Sequence, residues 1–357
     1  MLALDCCVSA GPSGEAEVSP DLKPASTVPL RTESVPLRTE FDRIELLEPW
    51  HGPPTRLPCF AAPAYFVPLP DGHVFPMEKF PQSAAALVDG GVIDAVMDPG
   101  LIGREDLLRV HTPAYIDSIV TGHFNARTST KLGLPPSEAL SLRSHAAVAG
   151  TLAAARAALV DGLACNLAGG THHAFADSGE GFCVFNDIAV AIRTLRRDEP
   201  LLHAMVIDLD AHQGNGTHAI FAADPLTFTY SVHVGRNYPS RKEPGDLDVP
   251  LPRWASAEQY FESVDRTLRD AVERFEPDIV FYIGGVDVHA DDQFGQMKLS
   301  TDDMKWRDHL AIDLCRDWTI PTVVLYGGGY NRTRTMTARL HCQTIQVAAE
   351  RWRSERV

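Results

Sequence analysis

The segment Ala204-Met-Val-Ile-Asp-Leu-Asp-Ala-His212 joins a short apolar run to three ionisable residues, and it indicates the fold class. The run before Asp208 is short and apolar, as a buried parallel strand should be. Asp208, Asp210 and His212 alternate with other residues, so they share one face of an extended chain. Unpaired charge is expensive to bury, so these groups need a cation or mutual pairing.

Similar apolar runs recur on both sides of this segment and alternate with longer amphipathic stretches. Strands are predicted at 164–168, 204–209, 227–232, 278–283 and 321–326. Helices are predicted at 137–161, 184–197, 257–275 and 302–317. This alternation predicts one α/β domain, with a mainly parallel central sheet flanked by helices.

Polar residues follow four of the predicted strands. His172 and His173 come after the first, Asp287 after the fourth and Tyr330 after the fifth, in addition to the segment that ends at His212. Ligands of open α/β sheets bind outside the carboxyl ends of the strands. We therefore expect an active site at this edge of the sheet.

These residue types suit hydrolysis assisted by a metal. His212, one carboxylate of its strand and Asp287 form an Asp₂His set, and three protein ligands leave the fourth zinc position open, as in catalytic sites. An imidazole such as that of His173 suits a general base. Tyr330 follows three glycines and could donate to an oxyanion. The alternative is a hydrogen-bonded polar cluster without metal.

Five motifs occur in an order that resembles the histone deacetylase superfamily over residues 70–345. They are Gly169-Gly-Thr-His-His-Ala174, Gly181-Phe-Cys183, Asp208-Leu-Asp-Ala-His-Gln-Gly-Asn-Gly216, Gly285-Val-Asp287 and Gly327-Gly-Gly-Tyr330. Within the superfamily, His73, the segment Phe75-Pro-Met-Glu-Lys79 and the compact length resemble the class IV branch and its bacterial relatives.

The resemblance implies a role for each matching residue. Zinc, or alternatively Fe²⁺, would be bound by Asp210, His212 and Asp287. His173 would act as general base and then acid, His172 as its electrostatic partner, and Tyr330 would polarise the acyl carbonyl. The substrate tunnel would be lined by Gly181, Phe182 and Tyr238. A structural potassium site would involve Asp208, Ser231 and Val232, and Asp208 would also orient His172.

One position departs from the commonest family pattern. Asn215 stands where an Asp often faces the second histidine. A neutral partner stabilises an imidazolium less, so we expect a lower pKa for His173 and slower turnover of plain acetyl substrates.

The resemblance implies hydrolysis of acyl-lysine amides by a metal-bound water, with histone tails among the expected substrates and a link to chromatin regulation. Two other functions stay open. One is hydrolysis of acetylpolyamines, for which Glu243 and Asp246 lie in a candidate loop. The other is an inactive scaffold that binds partners through its acyl pocket.

Composition sets further limits. The 357 residues carry a net charge of −15, which disfavours binding to nucleic acid and suits a cationic partner. The seven cysteines have no disulfide spacing, and no apolar stretch is long enough to span a membrane, so we expect an intracellular protein of the cytoplasm or nucleus. Residues 1–57 are rich in Pro, Ser and Thr and predict a disordered extension, with the catalytic domain at 58–357.

Overall fold

The computed structural model describes residues 41–356 and contains a seven-stranded sheet in which every neighbouring pair of strands is parallel. The strands are β1 (Cys59–Phe60), β2 (Leu163–Asn166), β3 (Ala204–Asp208), β4 (Thr227–Val234), β5 (Leu247–Leu251), β6 (Ile279–Ile283) and β7 (Thr322–Leu325). Their order across the sheet is β1-β2-β7-β6-β3-β4-β5. Strands β2, β3, β6 and β7 are buried throughout, which explains their continuous apolar sequences.

Helices flank this sheet. They are α1 (Lys79–Asp89), α2 (Arg104–Leu107), α3 (Pro113–Thr121), α4 (Ala126–Leu132), α5 (Glu138–Asp161), α6 (Asp187–Leu195), α7 (Asn215–Phe221), α8 (Ala257–Phe275), α9 (Thr301–Asp317) and α10 (Arg334–Ser354). Helix α5 packs on β2, β7 and α6, whereas α10 packs on α1 and α9. None of the helices within residues 41–356 is long and apolar enough to cross a membrane.

The α/β prediction and all five predicted strands are confirmed, but several elements were missed. Strand β1 has only two residues, and β5 is an edge strand that contains Pro250, a residue that disfavours a strand assignment. Helix α10 buries His341, Gln343 and Gln346 together with its apolar residues, so its sequence has no clear polar face.

The segment 41–57 lies against the helices, which differs from the predicted domain boundary at residue 57. Side chains of Gln82, Arg339 and Gln346, on α1 and α10, donate hydrogen bonds to its backbone carbonyls. Thr55 is buried and bonded to the backbone of a loop that follows α1. Residues 41–57, which the extension predicted for residues 1–57 includes, therefore pack against α1 and α10; the rest of that extension lies outside the described residues and stays a prediction.

Candidate active site

The expected convergence of polar side chains occurs at the carboxyl ends of four central strands. Asp210 and His212 follow β3, and Asp287 follows β6, its hydrogen-bonded neighbour. The paired histidines follow β2, and Tyr330 follows β7. All of these side chains are largely buried, so the site lies within the interior edge of the sheet.

Three of the residues form a compact set that could bind a metal ion. Potential ligand atoms of Asp210, His212 and Asp287 all lie within 4.8 Å of one another. His212 Nδ1 is 2.9 Å from Asp287 Oδ2 and 3.1 Å from Asp210 Oδ1. Burial and the neighbouring Asp210 raise the pKa of Asp287 to about 7. Two crowded carboxylates facing one ring nitrogen are a donor set that suits a divalent cation, and among residues 41–356 no other such group of His, Cys, Asp and Glu occurs.

The surrounding backbone fixes these ligands in place. Gly328 N–H donates to Asp210 Oδ2 at 2.7 Å, and Ala211 N–H donates to Asp287 Oδ1 at 2.8 Å. A Cβ atom on Gly328 would lie 2.5 Å from Asp287 Oδ2, so only glycine lets the chain approach so closely.

The buried side chain of Arg307 is hydrogen-bonded to both segments that carry the candidate metal ligands, the one after β3 and the one after β6. Arg307, on α9, donates from Nη1 to the carbonyl of Gly285 at 2.5 Å and to that of Leu209 at 3.4 Å. Its guanidinium also pairs with Asp308 at 2.6 Å. These contacts join the segment after β3 to the segment after β6.

The two histidines have different partners. His172 Nδ1 is 2.7 Å from Asp208 Oδ2, and His173 Nδ1 is 2.8 Å from Asn215 Oδ1. Burial lowers the pKa of His172, but Asp208 and Asp210 outweigh it and raise that pKa to about 9. Burial, His172 and His212 hold the pKa of His173 well below its usual range. The lowered pKa agrees in direction with our expectation, but its main cause is burial, and the hydrogen bond to Asn215 raises it.

The loop that carries the histidine pair is anchored by the first residue of α6. The carboxylate of Asp187 accepts hydrogen bonds from the backbone amides of Gly170 and Thr171 and from the Thr171 hydroxyl. These contacts hold both histidines beside the metal ligands, with ring centroids 4.1 Å apart.

Tyr330 lies at the closed end of a pocket of about 340 Å³. Its N–H donates to Asp292 Oδ2 at 2.6 Å, and burial together with Asp210 raises the pKa of its phenol well above the usual value. The pocket is lined by Phe182, Tyr238 and Phe294 among others. The ring of Tyr238 is 4.9 Å from that of His173, and the ring of Phe182 is 5.6 Å from that of Tyr330.

The residues predicted for a potassium site are adjacent in the sheet. Asp208 and Ser231 are register partners on β3 and β4, and Val232 follows Ser231. The Ser231 hydroxyl bonds with His233 Nδ1 at 2.9 Å, a neighbour that the sequence did not suggest. The potassium site stays a prediction.

Sequence reasoning missed two cations beneath the site. Lys79 on α1 and Arg143 on α5 are buried and line an inner cavity of about 40 Å³ that also touches Asp210 and Tyr330. Lys79 Nζ donates to the carbonyl of Gly327 at 3.2 Å, and burial and Arg143 lower its pKa to about 8. Lys79 stands in a motif that supported the family resemblance, but its place beneath the site depends on how α1 packs.

Known proteins are similar to this chain in sequence and in fold. A family model described as histone deacetylase domain matches residues 73–346. An uncharacterized protein of Picosynechococcus sp. is 39% identical over 275 residues, which cover 76% of this chain and 92% of that protein. Histone deacetylase 2 of Arabidopsis thaliana is 30% identical over 285 residues, covering 77% and 73%. The crystal structure of the HDA15 HD domain is similar in fold, with a TM-score of 0.69 at 22% identity over 83% of this chain and 90% of that one.

Proposed function

The chain belongs to the histone deacetylase family and is a hydrolase, and from this premise we propose that it hydrolyses acyl-lysine amides of proteins or peptides. One observation carries the proposal. A metal-ligand set, two histidines and a tyrosine meet at the closed end of a tunnel walled by aromatic rings. Such a tunnel suits the aliphatic stem of a lysine, whose acylated end then reaches the polar groups.

Asp210, His212 and Asp287 would hold Zn²⁺, and Fe²⁺ is the other metal we propose for this donor set. When bound, the ion supplies Lewis acidity, which polarises a carbonyl and makes water more acidic. The contacts from Gly328 and Ala211 keep the two carboxylates oriented for that purpose.

His173 would move the protons. Its Nδ1 is engaged by Asn215, which leaves Nε2 as the nitrogen that faces the reaction. There it takes a proton from the attacking water and later returns it to the leaving lysine amine. His172, whose Nδ1 is 2.7 Å from Asp208 Oδ2, would act as its electrostatic partner.

Tyr330 would stabilise the oxyanion of the tetrahedral intermediate. Because its pKa is raised well above the usual value, the phenol keeps its proton and can donate a hydrogen bond. A preorganised donor in a buried site stabilises developing charge strongly.

The inner cavity favours a small acyl group. It measures about 40 Å³ and carries the ammonium of Lys79 and the guanidinium of Arg143, two buried cations that suit a carboxylate product. A product such as acetate would fit this space, whereas a myristoyl chain would require the cavity to open. We therefore propose acetyl-lysine as the preferred substrate.

The charged residues near the pocket favour lysine peptides over polyamines as substrates. Asp246 accepts hydrogen bonds from Thr229, and Glu243 pairs with Arg241 at 3.2 Å, so both acids considered for polyamine binding are engaged. The pocket's rim carries Lys131 instead. The net charge of −15 favours a carrier segment rich in basic residues, such as a histone tail. Placement in the class IV branch stays a prediction.

The proposed function is tested with the zinc-loaded wild type, Tyr330→Phe and a peptide series bearing acetyl-, octanoyl- and myristoyl-lysine, with N-acetylated polyamine alongside. We expect acetyl-lysine to be cleaved fastest. Loss of one oxyanion donor should lower kcat by about 10²–10³-fold, with little change in KM.

Tyr260→Phe is the matched control, because Tyr260 is also buried and its hydroxyl has no hydrogen-bond partner among the described residues. It should keep wild-type kcat. Turnover of acetylpolyamine alone would favour the small-molecule function, and a zinc-loaded protein that cleaves nothing would favour the scaffold.

A further inference from the structure

Asn215, the hydrogen-bond partner of His173, is itself hydrogen-bonded to the carboxylate of Glu180. Asn215 Oδ1 lies 2.8 Å from His173 Nδ1, and Asn215 Nδ2 donates a hydrogen bond to Glu180 Oε1 at 2.6 Å. Glu180 Oε2 pairs with Lys131 Nζ, also at 2.6 Å. The side chain of Glu180 is only 9% exposed, so the carboxylate belongs to the interior of the site, and the half-exposed Lys131 balances its charge.

The chemistry of these groups decides which atom donates and which accepts in each of the two hydrogen bonds. An ionised carboxylate can only accept, so the NH₂ group of Asn215 must face Glu180 and its oxygen must face His173. That oxygen also only accepts, so His173 Nδ1 must carry the hydrogen. The lone pair is then left on Nε2, where a general base needs it.

We propose that Glu180 is a positioning residue that, through Asn215, fixes the tautomer of His173. This inference rests on the proposed function, in which His173 is the base. Without an acceptor behind it, the Asn215 amide can turn over and present NH₂ to His173, which stabilises the opposite tautomer. In proteins with Asp at this position, the negative charge would contact the histidine directly. Here the charge belongs to Glu180, which reaches His173 only through Asn215.

The same carboxylate joins the base to the substrate tunnel. Tyr238, which lines the tunnel, also lies next to Glu180, and burial together with this carboxylate raises the pKa of its phenol well above the usual value. Gly181 and Phe182, directly after Glu180 in sequence, also line that pocket. Glu180 is therefore adjacent to the tunnel wall and hydrogen-bonded to the Asn215 amide at the same time.

The experiment exchanges the amide and the carboxylate between the two positions. Glu180→Gln keeps the shape but allows the Asn215 amide to turn, and we expect kcat on acetyl-lysine peptide to fall on the order of 10–100-fold, with KM near the wild-type value. Asn215→Asp alone places two carboxylates side by side and should also be impaired. The double variant Asn215→Asp with Glu180→Gln restores one acceptor facing His173 and should recover much of the lost kcat.

Glu355→Gln is the matched control, since Glu355 is a carboxylate paired with Arg316 and Arg351 outside the site. It should keep wild-type kcat. If Glu180→Gln does not fold, the tautomer of His173 in the wild type, read by NMR as described below, decides the question. A wild-type kcat in Glu180→Gln, or a double variant no better than Asn215→Asp, would overturn the proposal.

A second readout does not depend on turnover. With ¹⁵N-labelled histidine, NMR should show the Nδ1–H tautomer for His173 in the wild type and a mixture in Glu180→Gln, the signal being assigned by its absence in His173→Gln. The Nε2–H tautomer in the wild type would refute the role of Glu180. A wild type that cleaves no acyl-lysine peptide would refute the proposed function instead, and the NMR result would still decide on Glu180.

Discussion

Gly181 lies where the tunnel wall meets the proposed base, with φ of +56°. A Cβ atom there would be 2.7 Å from His173 Cδ2 and 3.0 Å from a ring carbon of Tyr238. Gly122, at the end of α3, has a similar φ of +68° but open space around it. Substituting Gly122 therefore tests backbone strain alone, whereas substituting Gly181 tests backbone strain together with displacement of His173 and Tyr238.

We predict that Gly181→Ala and Gly122→Ala both lose roughly 1–2 kcal/mol of unfolding free energy, because each places an L side chain in the left-handed region. Only Gly181→Ala should also lose most of its kcat, because its methyl group displaces His173. Urea denaturation and steady-state kinetics measure the two effects. Equal kcat in both variants would mean that His173 tolerates the displacement.

At this scale the sequence predicted residues whose place follows from strand geometry. Asp210 and His212 come directly after β3, and Asp287 follows the neighbouring strand, so the topology of the sheet brings them together. Glu180 and Lys79 could not be predicted in the same way. A loop and the packing of α1 bring them to the site, and neither leaves a periodic signal in the sequence.

Among the elements, the contact between α9 and α10 contains a histidine with a raised pKa. His309 on α9 lies 3.2 Å from Asp313 of the same helix and 3.4 Å from Glu350 of α10, and Lys305 also approaches Glu350 at 3.8 Å. Hydrogen bonds to Asp313 and Glu350 raise the pKa of His309 to about 9.

A histidine with a raised pKa stabilises the fold when it is protonated. Its contribution is complete below the unfolded pKa of about 6.5 and is lost as pH rises through about 9. We therefore predict that His309→Asn destabilises the protein more at pH 6 than at pH 9.5, by a small amount because the pair is partly exposed. Chemical denaturation of both proteins at the two pH values measures this difference, and a pH-independent loss would contradict it.

The elements themselves differ in how well a sequence can predict them. Buried strands such as β3 and β6 are continuous apolar runs that end in Gly or Asp, and these were predicted within one or two residues. Edge strand β5 and the buried helix α10 lack those patterns because packing against neighbours, and not local sequence, stabilises them.

For the whole molecule, metal binding should contribute to stability. Metal-free protein holds Asp210 and Asp287 together in a buried site, so ligand binding to the folded state removes an unfavourable arrangement. We predict that zinc raises the unfolding midpoint and that a chelator reverses the shift; at 100 times Kd the gain is about 2.7 kcal/mol.

Asp287→Asn tests the origin of that gain. The amide removes one negative charge, so the metal-free variant should be at least as stable as the metal-free wild type, yet zinc should no longer raise its midpoint. Scanning calorimetry with and without zinc measures both. An unchanged zinc-dependent shift in Asp287→Asn would place the metal elsewhere.

Arg307 links the segment after β3 to the segment after β6 and so keeps two ligand-bearing loops at a set separation. The link consists entirely of protein groups, so it would hold these loops at the same separation with either of the metals proposed above. If Zn²⁺ and Fe²⁺ both bind as proposed, we expect the metal carried by the protein to follow cellular supply as well as intrinsic affinity. The enzyme's working state would then depend on the metal homeostasis of its host.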